Sequence, residues 1–295
     1  MPQFEEYKKI VDENLDKFLK VQYPQEIFES MRYSVLADGK RLRPVMVLES
    51  CNMISGRYEN AIPTACALEM LHAQSLIHDD LPCMDNDDFR RGKPTNHKAF
   101  SESTAVLAGD ALLSFAPQII VKNPQGNSSD ILLRVLNEFF ESAGAYGIIA
   151  GQVVDIDSEH KKIDFETLKY IHKYKTAHLF KCALRCGAIL GGAKEDTLAQ
   201  IDAFADEFGL AFQICDDILD VTATFDEIGK TPNKDAKAEK TTYVTFFGLN
   251  EAYNKLKYHV QNACDILNKS DFKSEILFNI TLGLEKKISK RINNV

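Results

Sequence analysis

The sequence predicts an all-α protein, folded as a single-domain helical bundle. Apolar residues recur three and four positions apart along most of the chain, whereas alternation with period two persists nowhere. Hydrophobic residues make up 45% and charged residues 26% of the 295 residues, which is typical of globular chains. Long helical segments joined by short turns favour a bundle, and no linker divides residues 1–295.

Ten segments have helical periodicity, and turn-forming residues separate several of them. Breaks fall at Ser55–Arg57, at Lys122–Asn127 and at Gly191–Gly192. The predicted helices cover residues 3–20, 25–37, 42–54, 60–80, 100–121, 130–157, 165–190, 196–221, 250–268 and 272–292. Residues 222–240 are instead polar and lysine-bearing, which indicates either a solvated loop or a flap over an anionic ligand.

Charge and cysteine usage exclude several classes of protein. The net charge of −8 argues against a nucleic-acid partner, which needs a basic surface. Seven scattered cysteines without a C-x-x-C motif argue against disulfides or a zinc site and favour reduced thiols in the cytoplasm. The N-terminus is acidic and amphipathic, unlike a signal or transit peptide, and we expect no membrane span.

A first acidic cluster ends an apolar helix at Asp79 and Asp80 and continues to Asp85. Adjacent carboxylates are unfavourable near the negative end of a helix unless a cation or bulk solvent compensates them. Pro82 should end the helix and bring Asp85 back towards Asp79. Oxygen ligands of this kind suit magnesium bound together with phosphates. A solvated acidic helix end is the alternative interpretation.

A second acidic cluster comprises Asp216, Asp217 and Asp220, preceded by Gln213. Their spacing places the three carboxylates on one side of a helix, where they repel one another unless a cation lies among them. Because the surrounding residues are strongly apolar, a metal site is favoured over a solvated face. Two such clusters predict a site for several metal ions.

Positive side chains near these clusters indicate which ligand is held. Together they suggest pockets for two diphosphates, one bound through metal and one bound directly by cations. Each alone is typical of an ordinary surface charge. The candidates are Lys40 and Arg43, His72, Arg90 and Arg91, Lys175 with Thr176, Lys230 and Lys240.

These motifs resemble those of the trans-prenyl diphosphate synthases, in the same order and over nearly the whole chain. The matching strings are GKRLRP (39–44), HDDLPCMDNDDFRRGK (78–93), GQVVD (151–155), Lys175–Thr176 and FQICDDILD (212–220). The resemblance implies antiparallel helices around a deep central cavity, usually in a homodimer. It also implies head-to-tail condensation of isopentenyl diphosphate with dimethylallyl, geranyl or farnesyl diphosphate.

The resemblance assigns a role to each candidate residue. Magnesium, as three ions with the allylic diphosphate bound, would be held by Asp79, Asp80, Asp85, Asp216, Asp217 and Asp220. The allylic diphosphate would contact Arg90, Lys175, Thr176, Gln213, Lys230 and Lys240. Isopentenyl diphosphate would contact Lys40, Arg43, His72 and Arg91. Asp79, Asp85, Asp216, Lys175 and Arg90 would carry the catalysis.

Product length depends on the residues four and five positions before Asp79, which are Ser75 and Gln74. In this family, aromatic residues near that point stop the chain at farnesyl. Neither residue is aromatic here, so geranylgeranyl diphosphate is the expected product and farnesyl diphosphate is the alternative.

Three other functions compete with this one. His78–Asp79 is typical of HD-type metal phosphohydrolases, but no histidine lies upstream of His72 to complete their site. A terpene cyclase would need Asn, Ser and Glu in its second metal motif. A non-catalytic partner subunit would lack some of the aspartates or arginines.

Overall fold

The computed structural model describes residues 1–224 and 240–292, and these form an all-α fold as predicted. The helices are α1 (Pro2–Phe18), α2 (Gln25–Val35), α3 (Leu42–Ser55), α4 (Ile62–Asp79), α5 (Asn96–Ala99), α6 (Glu102–Lys122), α7 (Ser129–Ala143), α8 (Ile148–Asp157), α9 (Phe165–Ile171), α10 (His178–Leu190), α11 (Glu195–Thr222), α12 (Tyr243–Phe247), α13 (Leu249–Lys269) and α14 (Glu275–Ile292). A 3₁₀ turn at Glu59–Ala61 precedes α4, and a π-helix at His172–Ala177 joins α9 to α10.

Helices α3, α4, α10 and α11 form the interior, because their apolar residues cover more than one face. Helix α4 packs against α3 and α6, while α10 packs against α3, α7 and α11. Phe180 and Phe208 meet edge-to-face at the contact between α10 and α11. Each is buried there, and burying such a side chain contributes roughly 1.5–3 kcal/mol to folding. This interior positions the ends of α4 and α11, where the acidic clusters lie.

Two predicted helices are not continuous. The predicted helix 130–157 is two helices, α7 and α8, because the chain breaks at Gly144–Gly147. A Cβ atom at Gly147 would lie 2.1 Å from the carbonyl oxygen of Ser142, so only glycine allows this close turn. The predicted helix 165–190 contains the π-helix, which changes the direction of side chains around Lys175 and Thr176.

A short β-hairpin follows α4, although the sequence contains no persistent strand pattern. Strands β1 (Phe89–Arg90) and β2 (Lys93–Pro94) pair antiparallel. Arg91 and Gly92 form the turn at positive φ angles of 54° and 75°. Strands of two residues are too short for alternation to be visible in the sequence. The hairpin places Arg90 and Arg91 beside the end of α4.

The expectation of no membrane span stays a prediction, and α6 is the helix that bears on it. Among the described residues, α6 is long and apolar enough to cross a bilayer. However, 44% of its most apolar window is buried against the rest of the protein. A core helix of a bundle passes the same test, so this finding alone does not make α6 a membrane span.

Candidate active site

A cavity of about 730 Å³ opens between α4, α8, the π-helix and α11. Residues before α3 and the segment that leads into α12 complete its walls. One half of the lining carries carboxylates and lysines, and the other half carries arginines, a lysine and a histidine. Leu76, Ile148, Leu179 and Phe212 form an apolar wall within the same cavity. Its size is typical of a small-molecule site.

The carboxylate half brings together Asp79 and Asp85 from the first cluster and Asp216 and Asp217 from the second. The chain turns back after α4, as Pro82 predicts, and the backbone N–H of Asp85 donates to the carbonyl of Asp79 at 2.8 Å. Burial raises the pKa of Asp79, and the Lys175 ammonium partly offsets this effect. These four carboxylates of the two clusters therefore line one space.

Asp80 and Asp217 are engaged by protein donors. The guanidinium of Arg90 binds Asp80, with Nε 3.0 Å from Oδ1, and burial raises the pKa of Asp80 to about 6. Asp217 accepts hydrogen bonds of 2.8 Å from the Gln213 side chain and from the backbone N–H of Tyr243. These carboxylates hold Arg90 and the start of α12 in place.

Asp220 of the second cluster and the neighbouring His172 are both buried. Asp220 is only 3% exposed and lies outside the described cavity lining. His172 Nε2 lies 3.8 Å from Asp217, but burial lowers the pKa of His172 to about 3. The imidazole is therefore neutral, and this contact is not an ion pair.

Lys175 and Lys240 meet at Asp155, a residue that the sequence reasoning did not single out. Their Nζ atoms lie 2.6 Å and 3.3 Å from Asp155 Oδ2, and Lys240 also lies 3.4 Å from Asp85 and 3.1 Å from Glu159. Although burial opposes it, the carboxylates, Asp155 first, raise the pKa of both lysines. Both ammonium groups are therefore charged and directed into the carboxylate half of the cavity.

Asp155 ends the string GQVVD, and the first residue of that string explains the geometry. A Cβ atom at Gly151 would lie 2.2 Å from the backbone nitrogen of Lys175, so α8 and the π-helix touch at a glycine. Asp155 lies one turn further along α8, within reach of the Lys175 ammonium. The motif itself was the signal from which Asp155 could have been found.

The cationic half contains Lys40, Arg43, His72 and Arg91. The Arg43 guanidinium lies over the Phe180 ring at 4.2 Å and donates to His72 Nε2 at 3.3 Å. Burial lowers the pKa of Arg43 to about 10, so it remains charged at neutral pH. Burial and Arg43 both lower the pKa of His72, which is therefore a neutral acceptor.

Of the remaining residues predicted to contact the allylic diphosphate, Thr176, Gln213 and Arg90 line the cavity. Thr176 donates to Gln213 Oε1 at 2.7 Å inside the cavity. Arg90 lines the cavity while bound to Asp80 and to Asp87, its second carboxylate partner at 3.1 Å. Lys230 lies outside the described residues.

Of the two residues predicted to control product length, Ser75 lines the cavity and Gln74 contacts His78 instead. Ser75 lines the cavity, and its hydroxyl donates to the carbonyl of His72 at 2.9 Å. Gln74 is not among the described lining residues, and its amide lies 3.1 Å from His78 Nδ1. His78 Nε2 lies 3.1 Å from the carbonyl oxygen of Val106. Gln74 and His78 are thus part of the contact between α4 and α6.

The donor set fits magnesium bound together with a diphosphate. Among the described residues, no three His, Cys, Asp or Glu side chains form a ready-made metal cage. Magnesium usually binds through one or two carboxylates, with phosphate and water completing its shell. Asp79, Asp85 and Asp216 offer oxygen atoms of this kind around one open space.

The fold and this cavity define the class of all-α proteins whose central cavity sets paired aspartates beside lysines and arginines, a lining suited to anionic ligands. The family model described as polyprenyl synthetase matches residues 24–277. A geranylgeranyl diphosphate synthase from Cyanophora paradoxa is 44% identical over 88% of this chain and 86% of its own. A farnesyl diphosphate synthase from Bacillus subtilis (strain 168) is 40% identical over 92% of this chain and 93% of its own.

A solved structure has the same fold. It is a geranyltransferase from Helicobacter pylori, complexed with magnesium and isoprenyl diphosphate, with a TM-score of 0.83 and 30% identity. The match covers 98% of each chain. The chain therefore belongs to the polyprenyl synthetase family and is a short-chain prenyltransferase. The predicted family and enzyme class are confirmed, and this membership replaces the HD-type phosphohydrolase alternative.

Proposed function

We propose that the protein condenses isopentenyl diphosphate with dimethylallyl, geranyl and farnesyl diphosphates and releases geranylgeranyl diphosphate. The observation that carries this proposal is the division of one cavity into two anion sites. One site has Asp79, Asp85 and Asp216 with two lysines, and the other is dominated by Lys40, Arg43 and Arg91 with a neutral histidine. One diphosphate must leave its substrate and the other must stay attached, so the two substrates need two sites of this kind.

The carboxylate half would receive the allylic diphosphate, whose C–O bond breaks. The electron pair leaves with the diphosphate, and Lys175 and Lys240 stabilise the charge that develops on it. Three magnesium ions held by Asp79, Asp85 and Asp216 would supply further stabilisation of that charge. Asp80 and Asp217 contribute by positioning Arg90 and the start of α12.

The cationic half would anchor isopentenyl diphosphate, whose own C–O bond stays intact because ionisation of its homoallylic carbon gives no stabilised cation. Its double bond attacks the allylic cation, forming the new C–C bond. This attack leaves the positive charge on the tertiary carbon of the former isopentenyl unit. A proton then leaves the carbon next to that centre and passes to the released diphosphate, and a new double bond forms. Leu76, Ile148 and Phe212 keep water away from the cation.

Geranylgeranyl diphosphate is the proposed product because the small Ser75 side chain lines the cavity near the end of α4. The growing chain would run from Asp79 along α4, and each helical turn covers about 5.4 Å. Farnesyl diphosphate is the alternative, and a relative described as a farnesyl diphosphate synthase is 40% identical.

Incubation with magnesium, isopentenyl diphosphate and each of the three allylic diphosphates tests the proposal. We expect geranylgeranyl diphosphate from every starter, with activity lost when a chelator removes the metal. Farnesyl diphosphate as the end product would select the alternative. Absence of any elongated product would contradict the proposed function.

The protein is proposed to act as a homodimer in the cytoplasm. Six large apolar side chains on the consecutive helices α6, α7 and α8 are at least half exposed, which is unusual for a monomer surface. They are Leu107, Val121, Leu133, Phe140, Ile149 and Val153. All seven cysteines are free thiols, six of them buried, which supports a reducing compartment.

A further inference from the structure

A buried carboxylate lies beneath the cationic half of the cavity, where neither the motifs nor the proposed mechanism assigns one. Glu69 is on α4, three residues before His72, and is only 2% exposed. It lines the cavity with Arg41, Arg43 and Arg91, and it interacts electrostatically with all three. A buried carboxylate persists only where cations compensate its desolvation.

Glu69 binds two arginines through one oxygen atom. Arg41 Nη1 donates to Glu69 Oε1, and Arg91 Nη2 lies 3.7 Å from the same atom. Arg41 is also held at 2.8 Å by Asp12 of α1 and at 3.0 Å by the carbonyl of Ala37. Three acceptors therefore fix Arg41, which is a scaffold rather than a ligand for substrate.

Arg91 has no comparable set of protein acceptors among its recorded contacts in the described residues, apart from Glu69. Its guanidinium lies against Gly39, where a Cβ atom would come within 2.9 Å of Nη1. Glu69 on one side and Gly39 on the other therefore define where the guanidinium sits. Burial lowers the pKa of Arg91, and Glu69 opposes this effect.

We propose that Glu69 is a positioning residue that orients Arg91 for the diphosphate of isopentenyl diphosphate. It holds Arg91 against the rigid Arg41 and offsets repulsion among the cations before substrate arrives. This inference rests on the proposed function, in which Arg91 belongs to the isopentenyl diphosphate site. Glu69 does not touch the carboxylate half, so its effect is specific to one of the two substrates.

Steady-state kinetics of Glu69→Gln tests the inference. We expect the KM for isopentenyl diphosphate to rise about tenfold, while the KM for the allylic diphosphate stays within about twofold. Glu49→Gln is the matched control, because Glu49 is also a buried glutamate but binds Ser274 outside the described cavity lining. The control should leave both KM values unchanged.

Two more variants keep the test decisive if Glu69→Gln folds poorly. Gly39→Ala should displace the Arg91 guanidinium without altering Glu69, and should raise the same KM. In an Arg91→Gln background, Glu69→Gln should add little, because coupled residues are not additive. Equal rises in both KM values, or additive effects, would overturn the inference. Inactive wild-type protein would instead contradict the proposed function.

Discussion

At the residue scale, the carboxylates of the two acidic clusters differ in whether protein donors already engage them. Asp79, Asp85, Asp216 and Asp217 line the cavity, but Asp217 also accepts hydrogen bonds from Gln213 and Tyr243. Asp80 is not among the described lining residues and is bound by Arg90. Neighbouring aspartates on a helix point about 100° apart, so the two members of a pair meet different neighbours. Their roles should therefore separate in mutants.

Replacing a carboxylate that faces the cavity should affect turnover strongly. We expect Asp79→Ala and Asp216→Ala each to lower kcat by about 100-fold or more, because an electrostatic stabiliser of the leaving group is lost. Product formation at saturating substrate measures this. Asp88→Ala is the control, since Asp88 is in the same loop but pairs with Lys98 at the surface. Near-normal turnover in both cavity variants would remove the metal-site hypothesis.

At the scale of single elements, the contact between α8 and the π-helix places Asp155 beside Lys175. Gly151 makes this contact possible because its missing Cβ leaves room for the backbone of Lys175. A side chain at this position would push the two helices apart. The Lys175–Asp155 ion pair of 2.6 Å should then open.

Gly151→Ala should therefore destabilise the fold and weaken catalysis together. We expect the free energy of unfolding to fall by about 1–3 kcal/mol, measured by urea denaturation. Gly283→Ala in α14 is the control, because no atom lies within 4 Å of its Cβ position. That change should be neutral or stabilising by about 0.5–1 kcal/mol. An unchanged stability in Gly151→Ala would show that the helices have room to adjust.

Helix α4 also determines how long a product the cavity accepts. Ser75→Phe places a large ring where a small side chain lines the cavity, and we expect the product to shift from geranylgeranyl towards farnesyl diphosphate. Chromatography of the dephosphorylated products measures the shift. Gln74→Ala is the control, because Gln74 contacts His78 instead, and its product should not change. An unaltered profile in Ser75→Phe would mean that the chain grows elsewhere.

At the scale of the whole molecule, α6, α7 and α8 carry exposed apolar faces. The proposed homodimer would bury these faces and would account for the apolar composition of α6. If it does, Phe140→Glu together with Leu107→Glu should convert the proposed dimer to a monomer, because charges in an apolar interface are costly. Light scattering coupled to gel filtration measures the mass.

The control for the dimer prediction is Tyr258→Glu. Tyr258 is as exposed as the interface residues but lies on α13, so its variant should keep the wild-type mass. A monomeric wild-type protein would contradict the prediction. A dimer that survives both charged substitutions would show that another surface mediates assembly.

The sequence alone was sufficient for the helical class, the positions of most helices and the family, because periodicity and motif spacing are local properties. It also predicted Asp79, Asp85 and Asp216, which the fold brings to one cavity. Breaks at Gly144–Gly147 and the π-helix escaped it, since both depend on contacts with other segments.

Only the tertiary structure decided which charged side chains pair across helices. Asp155 with Lys175, Asp80 with Arg90, and Glu69 with Arg91 join residues 10 to 22 positions apart or lying on different elements. Their distances follow from how α4, α8 and the hairpin pack, which no local pattern records. Burial then sets the strength of each pair, because desolvation depends on every neighbour that excludes water.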